Sequence, residues 1–304
     1  MVPPGRRTPS ASDPTGRAPC PLERPGRDTP CFAGKGPTSA DFALPRQPSK
    51  VWETLNGLDP LWLVLAGFGA GLSGSVAGLA SLISYPALLA VGLPPVSANV
   101  SNTVALVFTS VGSVWGSRPE LTGQMSRARY LGPVAAAGGL CGGVLLLETP
   151  SAAFAFVVPW LIGLAALTML IPRKQNLKAP SELLRPTWKL AVAVFLVAVY
   201  GGYFGAAAGV LLLALLLVAT GETLARSNAV KNLLVGLANI VAAGLFIAFG
   251  PLRWWAVLPL AAGGLLGGRL GPVIVRHVPA TPLRVVIAWG GLALAVHLGL
   301  DAYP

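Results

Sequence analysis

From Pro60 onward the chain alternates long apolar runs with short polar breaks. Eight runs stand out, here lettered A to H: 60–92, 98–117, 130–148, 151–171, 187–219, 224–249, 252–272 and 281–300. Six have the length of one helical membrane crossing, roughly 20 residues. Runs A and E are each 33 residues long. At about 1.5 Å rise per residue, a straight helix of that length would reach about 50 Å. The hydrocarbon core of a bilayer is about 30 Å thick. A and E must therefore tilt strongly, break, or fold back. Both hold glycines where a break costs little: Gly71, Gly74 and Gly78 in A, and Gly201, Gly202, Gly205 and Gly209 in E. The pattern predicts an all-α polytopic membrane protein.

Composition supports that class. Apolar residues make up 54% of the chain and charged residues only 11%, where a soluble domain carries roughly a quarter charged residues. Mean hydropathy is +0.68. These values exclude an ordinary soluble enzyme and a disordered protein. They also exclude a nucleic-acid partner, despite the net charge of +11. The basic residues lie in a polar tail and in the breaks between runs, not on one face of a polar domain. The tail, 1–59, holds 11 of the 28 prolines. It cannot bury a core and is expected to be disordered. It has no apolar stretch of a signal peptide after Arg6-Arg7. Gly34-Lys35 lacks the spacing of a phosphate loop, so no nucleotide site and no cofactor is expected. Cys20, Cys31 and Cys141 are too few and scattered for a disulfide framework.

The chain reads as a duplication. Gly71, Gly74 and Gly78 plus 131 give Gly202, Gly205 and Gly209. At an offset of 129, Gly92 maps to Gly221, Asn99 to Asn228 and Thr103 to Asn232. Ala-Ala-Gly-Gly-Leu-Cys-Gly-Gly at 136–143 matches Ala-Ala-Gly-Gly-Leu-Leu-Gly-Gly at 261–268, and Pro150 and Trp160 map to Pro279 and Trp289. Two homologous four-segment halves follow, 60–171 and 187–300. They are joined by a basic linker, 172–186, with Arg173, Lys174, Lys178 and Arg185. Internal repeats of this kind typify secondary transporters, whose substrate site lies between the halves near the midplane.

Parity decides how the halves are related. If A and E each cross once, the repeat is parallel; if each is a hairpin, it is inverted. Positive residues favour the cytoplasmic side. Among the connections, single crossings place nine basic residues inside and three outside, while hairpins place eleven inside and one outside. Arg46 and Lys50 in the tail bring both schemes to eleven against three. An inverted repeat is the expectation, and both arrangements remain open on sequence.

Few polar residues interrupt the runs. In B, Asn99, Asn102 and Thr103 stand at i, i+3 and i+4, on one helix face. In F, Asn228, Lys231 and Asn232 repeat that spacing. Each triplet follows a broken run. Amides, a hydroxyl and an ammonium near helix N-terminal N–H groups suit a small anion. The plainer alternatives are interhelical hydrogen bonding for the amides and snorkelling for Lys231. Gly74, Gly78, Gly205 and Gly209 are either the breaks themselves or close-packing positions. Arg269 in G reads as a snorkelling cation. The runs carry no mid-span carboxylate: Glu120, Glu148, Glu222 and Asp301 all stand at ends. No proton or sodium coupling site can be named. Ser73, in Gly71-Leu72-Ser73-Gly74, and His297 would make the nucleophile and base of a rhomboid-type intramembrane hydrolase. Phe204, not a serine, occupies the corresponding place in the second half. A passive anion channel or a receptor-like scaffold are the other classes.

Run A with its glycines, Gly-Leu-Pro-Pro at 92–95 and the polar opening of B resemble the first half of the TauE/SafE family of membrane exporters. Tyr200-Gly-Gly-Tyr-Phe-Gly-Ala-Ala-Ala-Gly and Ala225-Arg226-Ser227-Asn228-Ala229-Val230-Lys231-Asn232 resemble its second half, followed by the Gly-Gly-x-x-Gly-Gly region. Where the family often has Gly-x-Gly-Gly after the break in A, this chain has Ala77-Gly78-Leu79-Ala80. Ser101-Asn102-Thr103 replaces the family's usual Thr-Ser in B. The resemblance covers about 60–300. It implies a multi-pass protein of the cell membrane that moves sulfite, organosulfonates or related anions, usually outward. Its partners would be the lipid bilayer, the small anionic substrate and a coupling ion, proton or sodium.

Overall fold

The computed structural model describes residues 59–170 and 188–275, with isolated helical positions between 289 and 300. The tail before Asp59, the linker 172–186, and Cys20, Cys31, Arg276, Arg284 and His297 lie outside the described residues. The described residues form ten continuous helices and no strand. In chain order they are α1 (Asp59–Ala77), α2 (Ser81–Ala90), α3 (Pro95–Gly116), α4 (Arg118–Leu121), α5 (Met125–Glu148), α6 (Ser151–Leu170), α7 (Trp188–Tyr203), α8 (Ala208–Thr220), α9 (Leu224–Phe249) and α10 (Trp254–Val275). Four are long and apolar enough to cross a membrane: α1, α5, α9 and the Trp254–Val273 stretch of α10. α3 has the length, at 22 residues, but its polar face dilutes its hydropathy.

Runs A and E are each two helices. A divides into α1 and α2 at Gly78–Ala80, and E into α7 and α8 at Phe204–Ala207. Left-handed backbone makes both breaks: Gly78 has φ +79°, and Gly205 has φ +78° followed by Ala207 at +59°. In Ala207 that conformation crowds the Cβ, at a cost of about 1–2 kcal/mol. The chain reverses at the first break. A Cβ placed on Gly69 would lie 3.8 Å from Ile83, and one on Gly74 would lie 2.6 Å from the Ala80 Cβ. A continuous helix would hold residues 69 and 83 about 21 Å apart. α2 has ten residues, about 15 Å, and cannot cross the core. The second break is similar in form, with Gly201 packed against Ala208.

Runs B, C, D, F and G match single helices with shifted ends, and run H lies largely outside the described residues. B begins at Pro95, three residues early, because proline at the first turn forfeits only an N–H that has no partner there. C begins at Met125, after the short α4 and a turn at Gly123. F coincides with α9, whose N-cap Thr223 accepts from the Arg226 N–H.

Glycine packing assembles the bundle. α10 lies on α1 and α3, while α5 lies on α7 and α9. On α10, Gly263 meets the backbone of Val64 and Phe68, and Gly267 meets Phe68 and Leu72. On α5, Gly138 meets Phe195 and Val199, and Gly142 meets Val199, Gly202 and Tyr203. These two contact sets are related by the offsets 125 on one side and 131 on the other. Lipid tails are as apolar as leucine, so close van der Waals approach holds such helices together where a soluble protein would use the hydrophobic effect. Around the breaks, Tyr85 packs edge-on against Phe204 with centroids 5.3 Å apart, and Phe154 does so against Phe204 at 6.0 Å.

Candidate functional site

The two breaks touch. A Cβ on Gly209 would lie 2.7 Å from the Gly78 Cα, so glycine is required on both sides for the backbones to meet. The four singled-out glycines thus divide by role. Gly78 and Gly205 supply positive φ, while Gly74 and Gly209 supply closeness, to Ala80 and Gly78 respectively.

Each polar triplet reaches across to the other half's break. From α3, the Asn99 amide donates to the Tyr203 carbonyl at 2.8 Å, at the end of α7. From α9, the Asn228 amide donates to the Ser75 carbonyl at 2.7 Å and the Asn232 amide to the same oxygen at 3.4 Å. The Lys231 ammonium donates to the Gly74 carbonyl at 2.8 Å. These carbonyls belong to the last turns of α1 and α7, where helix ends run short of N–H partners; the Gly74 oxygen also accepts from the Gly78 N–H at 2.8 Å. Asn102 stays within its own half, donating to Ser81 Oγ at 3.2 Å and accepting from Ser84 Oγ at 2.5 Å. Thr103 donates back to the Asn99 carbonyl at 3.0 Å.

Beneath the breaks lies a cavity of about 70 Å³, room for about five waters. Residues of α1, α2, α3, α5, α7, α8 and α9 line it. Of the sequence-predicted site, Thr103, Lys231, Asn232 and all four glycines reach the lining, whereas Asn99, Asn102 and Asn228 do not. Asn99 and Asn228 brace backbone around it, and Asn102 ties the Ser81 and Ser84 hydroxyls of α2 to α3. Sequence reasoning missed Ser81, Thr109, Ser110, Ser113 and Asn239, which also line the cavity. The signal was present: Ser110 follows Thr103 by seven residues and Asn239 follows Asn232 by seven, two helical turns along the same face.

Lys231 brings the one basic side chain among the described lining residues to the cavity. Lys231 is 1% exposed, and one of its three N–H groups is used, on Gly74. No carboxylate pairs with it: the ion pairs among the described residues join Arg127 and Arg226 to Glu222. The first turns of α2 and α8 also line it, at Ser81, Ala208 and Gly209. The Ser81 and Gly209 N–H groups have no backbone acceptor among the described residues. Helix N-termini carry positive partial charge and free donors. The alternative use of Ser73 finds no support in its contacts. It is fully buried and donates to the Ala70 carbonyl at 3.2 Å, one turn back on its own helix.

Two further contacts bear on topology. Gln124, at the start of α5, donates to Glu222 at 3.1 Å, and Arg127 lies 3.7 Å from the same carboxylate. Glu222 sits between α8 and α9. Elsewhere the Arg253 N–H, between α9 and α10, donates to Ser101 Oγ near the start of α3 at 3.2 Å.

Broken helices meeting around a small cavity edged by a few polar groups inside an apolar bundle form the architecture of a membrane transport protein. The chain matches the family described as Sulfite exporter TauE/SafE over residues 63–298 and belongs to it. It is 25% identical over 241 residues to the probable membrane transporter protein ORF9 of a Sinorhizobium species, covering 79% of this chain and 92% of that one. It is 26% identical over 258 residues to the probable membrane transporter protein YfcA of Escherichia coli K12, covering 83% and 96%. A probable membrane transporter protein of Haemophilus influenzae is 24% identical over 233 residues, covering 76% and 91%. No solved structure matches significantly.

Proposed function

We propose that the chain is a secondary exporter of small sulfur-containing or organic anions, sulfite and short organosulfonates, working by alternating access in the cell membrane. The carrying observation is Lys231, a buried ammonium with donors to spare, without a carboxylate partner, at a cavity lined by the first turns of two helices. A buried charge is costly unless paired. A small oxyanion supplies the missing charge and fills the remaining donors. The cavity's size favours an anion of a few heavy atoms over an extended organic chain.

The halves 60–171 and 187–300 are proposed as an inverted repeat. Two contacts support this. If A and E crossed singly, the α4–α5 connection and the α8–α9 connection would lie on opposite membrane faces, yet Gln124 and Arg127 touch Glu222. The same scheme would separate Arg253 from the start of α3, yet Arg253 bonds Ser101. Hairpins place each pair on one face. The positive-inside preference then puts Arg118, Arg127, Arg129 and Arg226 in the cytoplasm. Alternation would rock the halves about the Gly78–Gly209 contact, driven by a proton or sodium gradient.

Reconstitution into sealed vesicles tests this reading. Sulfite flux should saturate with concentration and be competed by short sulfonates. Linear, uncompeted flux would point to a channel, and absence of flux with any small anion would remove the transport assignment to this class.

A further inference from the structure

Two arginines that the cavity does not use approach Trp115, which stands with Arg118 at the edge of an outward-facing groove between α3 and α9. Arg118 opens α4 directly after α3, and Arg269 stands near the end of α10. Both reach the ring of Trp115 on the last turn of α3. The guanidinium carbon of Arg269 lies 4.3 Å from the ring centroid and that of Arg118 lies 5.8 Å away. Both arginines and Trp115 are exposed. Neither arginine has a carboxylate within ion-pair distance among the described residues.

From Arg118 a groove of about 270 Å³ runs between α3 and α9. Its walls are almost wholly apolar, with Val107, Val111 and Val114 on one side and Leu233, Leu237 and Ile240 on the other. Val111 and Ile240 are each 49% exposed, so the groove is open at its outer face. Gly236 forms part of its floor, against Ser110, which also lines the transport cavity.

We propose that this groove is a specific site for an anionic phospholipid. One acyl chain lies along the valine and leucine walls, and the phosphate is held by Arg118 and Arg269 beside Trp115. The charge argues for the occupant. A soluble anion has no use for the apolar groove. A zwitterionic lipid would bring a second, cationic group beside two guanidiniums. A singly anionic headgroup satisfies both arginines without that repulsion. Tryptophan and arginine at the end of a crossing are also the residues that anchor at the headgroup level, and basic pockets between membrane helices on the cytoplasmic side bind anionic headgroups. Through Ser110 the seated lipid would lie one side chain from the transport cavity, at the seam between the two halves.

Native mass spectrometry of the detergent-purified full chain, with phosphatidylglycerol and phosphatidylcholine supplied in equal amounts, tests the proposal. Phosphatidylglycerol should be retained over phosphatidylcholine by roughly tenfold. The Arg118→Gln, Arg269→Gln double variant should lose that preference while keeping its melting temperature. Val111→Trp, which fills the groove, should lower retention of the lipid. Glycerol phosphate should not displace it. Equal retention of the two lipids by the unaltered protein overturns the proposal without any variant. An unchanged preference in the double variant, or displacement by glycerol phosphate, overturns it as well.

Discussion

The polar faces of α3 and α9 occupy the same register and do different work. On α3, Asn99, Asn102 and Thr103 direct their donors to Tyr203, Ser81 and the helix's own backbone. On α9, Asn228 and Asn232 likewise bond the end of α1, but Lys231 brings a charge and two unused donors to the cavity. The two faces are similar frames, and only the second carries a cation, Lys231 standing where α3 has Asn102. Under the proposed function the α3 face braces the fold, with Thr103 alone at the cavity wall, while the α9 face braces it and also meets the anion. Variants on the two faces should therefore separate stability from affinity.

The largest effect should come from the glycines on which both faces depend. Gly78→Leu would need a side chain at φ +79° and inside the backbone of Gly209. It should cost more than about 3 kcal/mol and abolish a monodisperse peak in size-exclusion chromatography. Gly74→Leu and Gly205→Leu should damage transport severely too, for want of room against Ala80 and because of positive φ. At Gly132 the nearest atom to an added Cβ is the flexible end of Leu237 at 3.0 Å, so Gly132→Ala should be tolerated. Equal tolerance at all these positions would mean the breaks carry no mechanical role.

Next in size is Asn99→Leu on α3. It leaves the Tyr203 carbonyl without its donor at a helix end, at a cost of about 1–2 kcal/mol. The thermal midpoint should fall while anion affinity in the folded protein stays within about twofold. A loss of affinity with unchanged stability would reverse the roles assigned to the two faces.

The smallest effect concerns the Glu222 contact on which the proposed topology rests. Glu222 accepts from Gln124, which holds its carboxyl below the usual carboxylate range, with Arg226 and Arg127 adding to the shift. A lowered folded pKa means the contact stabilises the fold above the unfolded carboxylate pKa and fades as pH falls through the lowered value. Glu222→Gln should cost less than about 1 kcal/mol, as partly exposed ion pairs do, and should flatten this acid dependence of the thermal midpoint. Cysteines placed at Arg226 and Arg129 should both label from the cytoplasmic side; labelling from opposite sides would restore single crossings.

Much of the bundle is legible in the sequence because membrane helices obey length. Thirty-three apolar residues cannot form one straight crossing, so an irregularity in A and in E follows from length alone, and the glycines mark where it falls. Apart from the short α4, which falls in the break between B and C, the helices follow the apolar runs to within a few residues. The polar triplets are legible because an amide in an apolar run is rare. Which amides face the cavity is not: Asn99 and Asn228 sit one turn from their triplet partners yet turn toward backbone. That choice depends on the reversal at Gly78 and Gly205, which sets where the last carbonyls of α1 and α7 point. Ser81 and Ser113 escape notice because a lone serine in an apolar helix commonly bonds its own backbone, as Ser113 does to Thr109. Arg269 reads as a snorkelling cation; its stacking on Trp115 depends on α10 crossing α3 at Gly112 and Gly116, a tertiary contact.

Replacing Lys231 by glutamine tests the central claim most directly. Glutamine keeps hydrogen-bonding capacity and removes the charge, so it isolates what the ammonium does. Sulfite affinity, measured by saturation of flux or by thermal shift on purified protein, should fall roughly ten- to a hundredfold, about 1.4–2.7 kcal/mol, with yield and oligomeric behaviour near those of the unaltered protein. Unchanged affinity in a well-folded Lys231→Gln protein would contradict the account and return Lys231 to a brace for the end of α1.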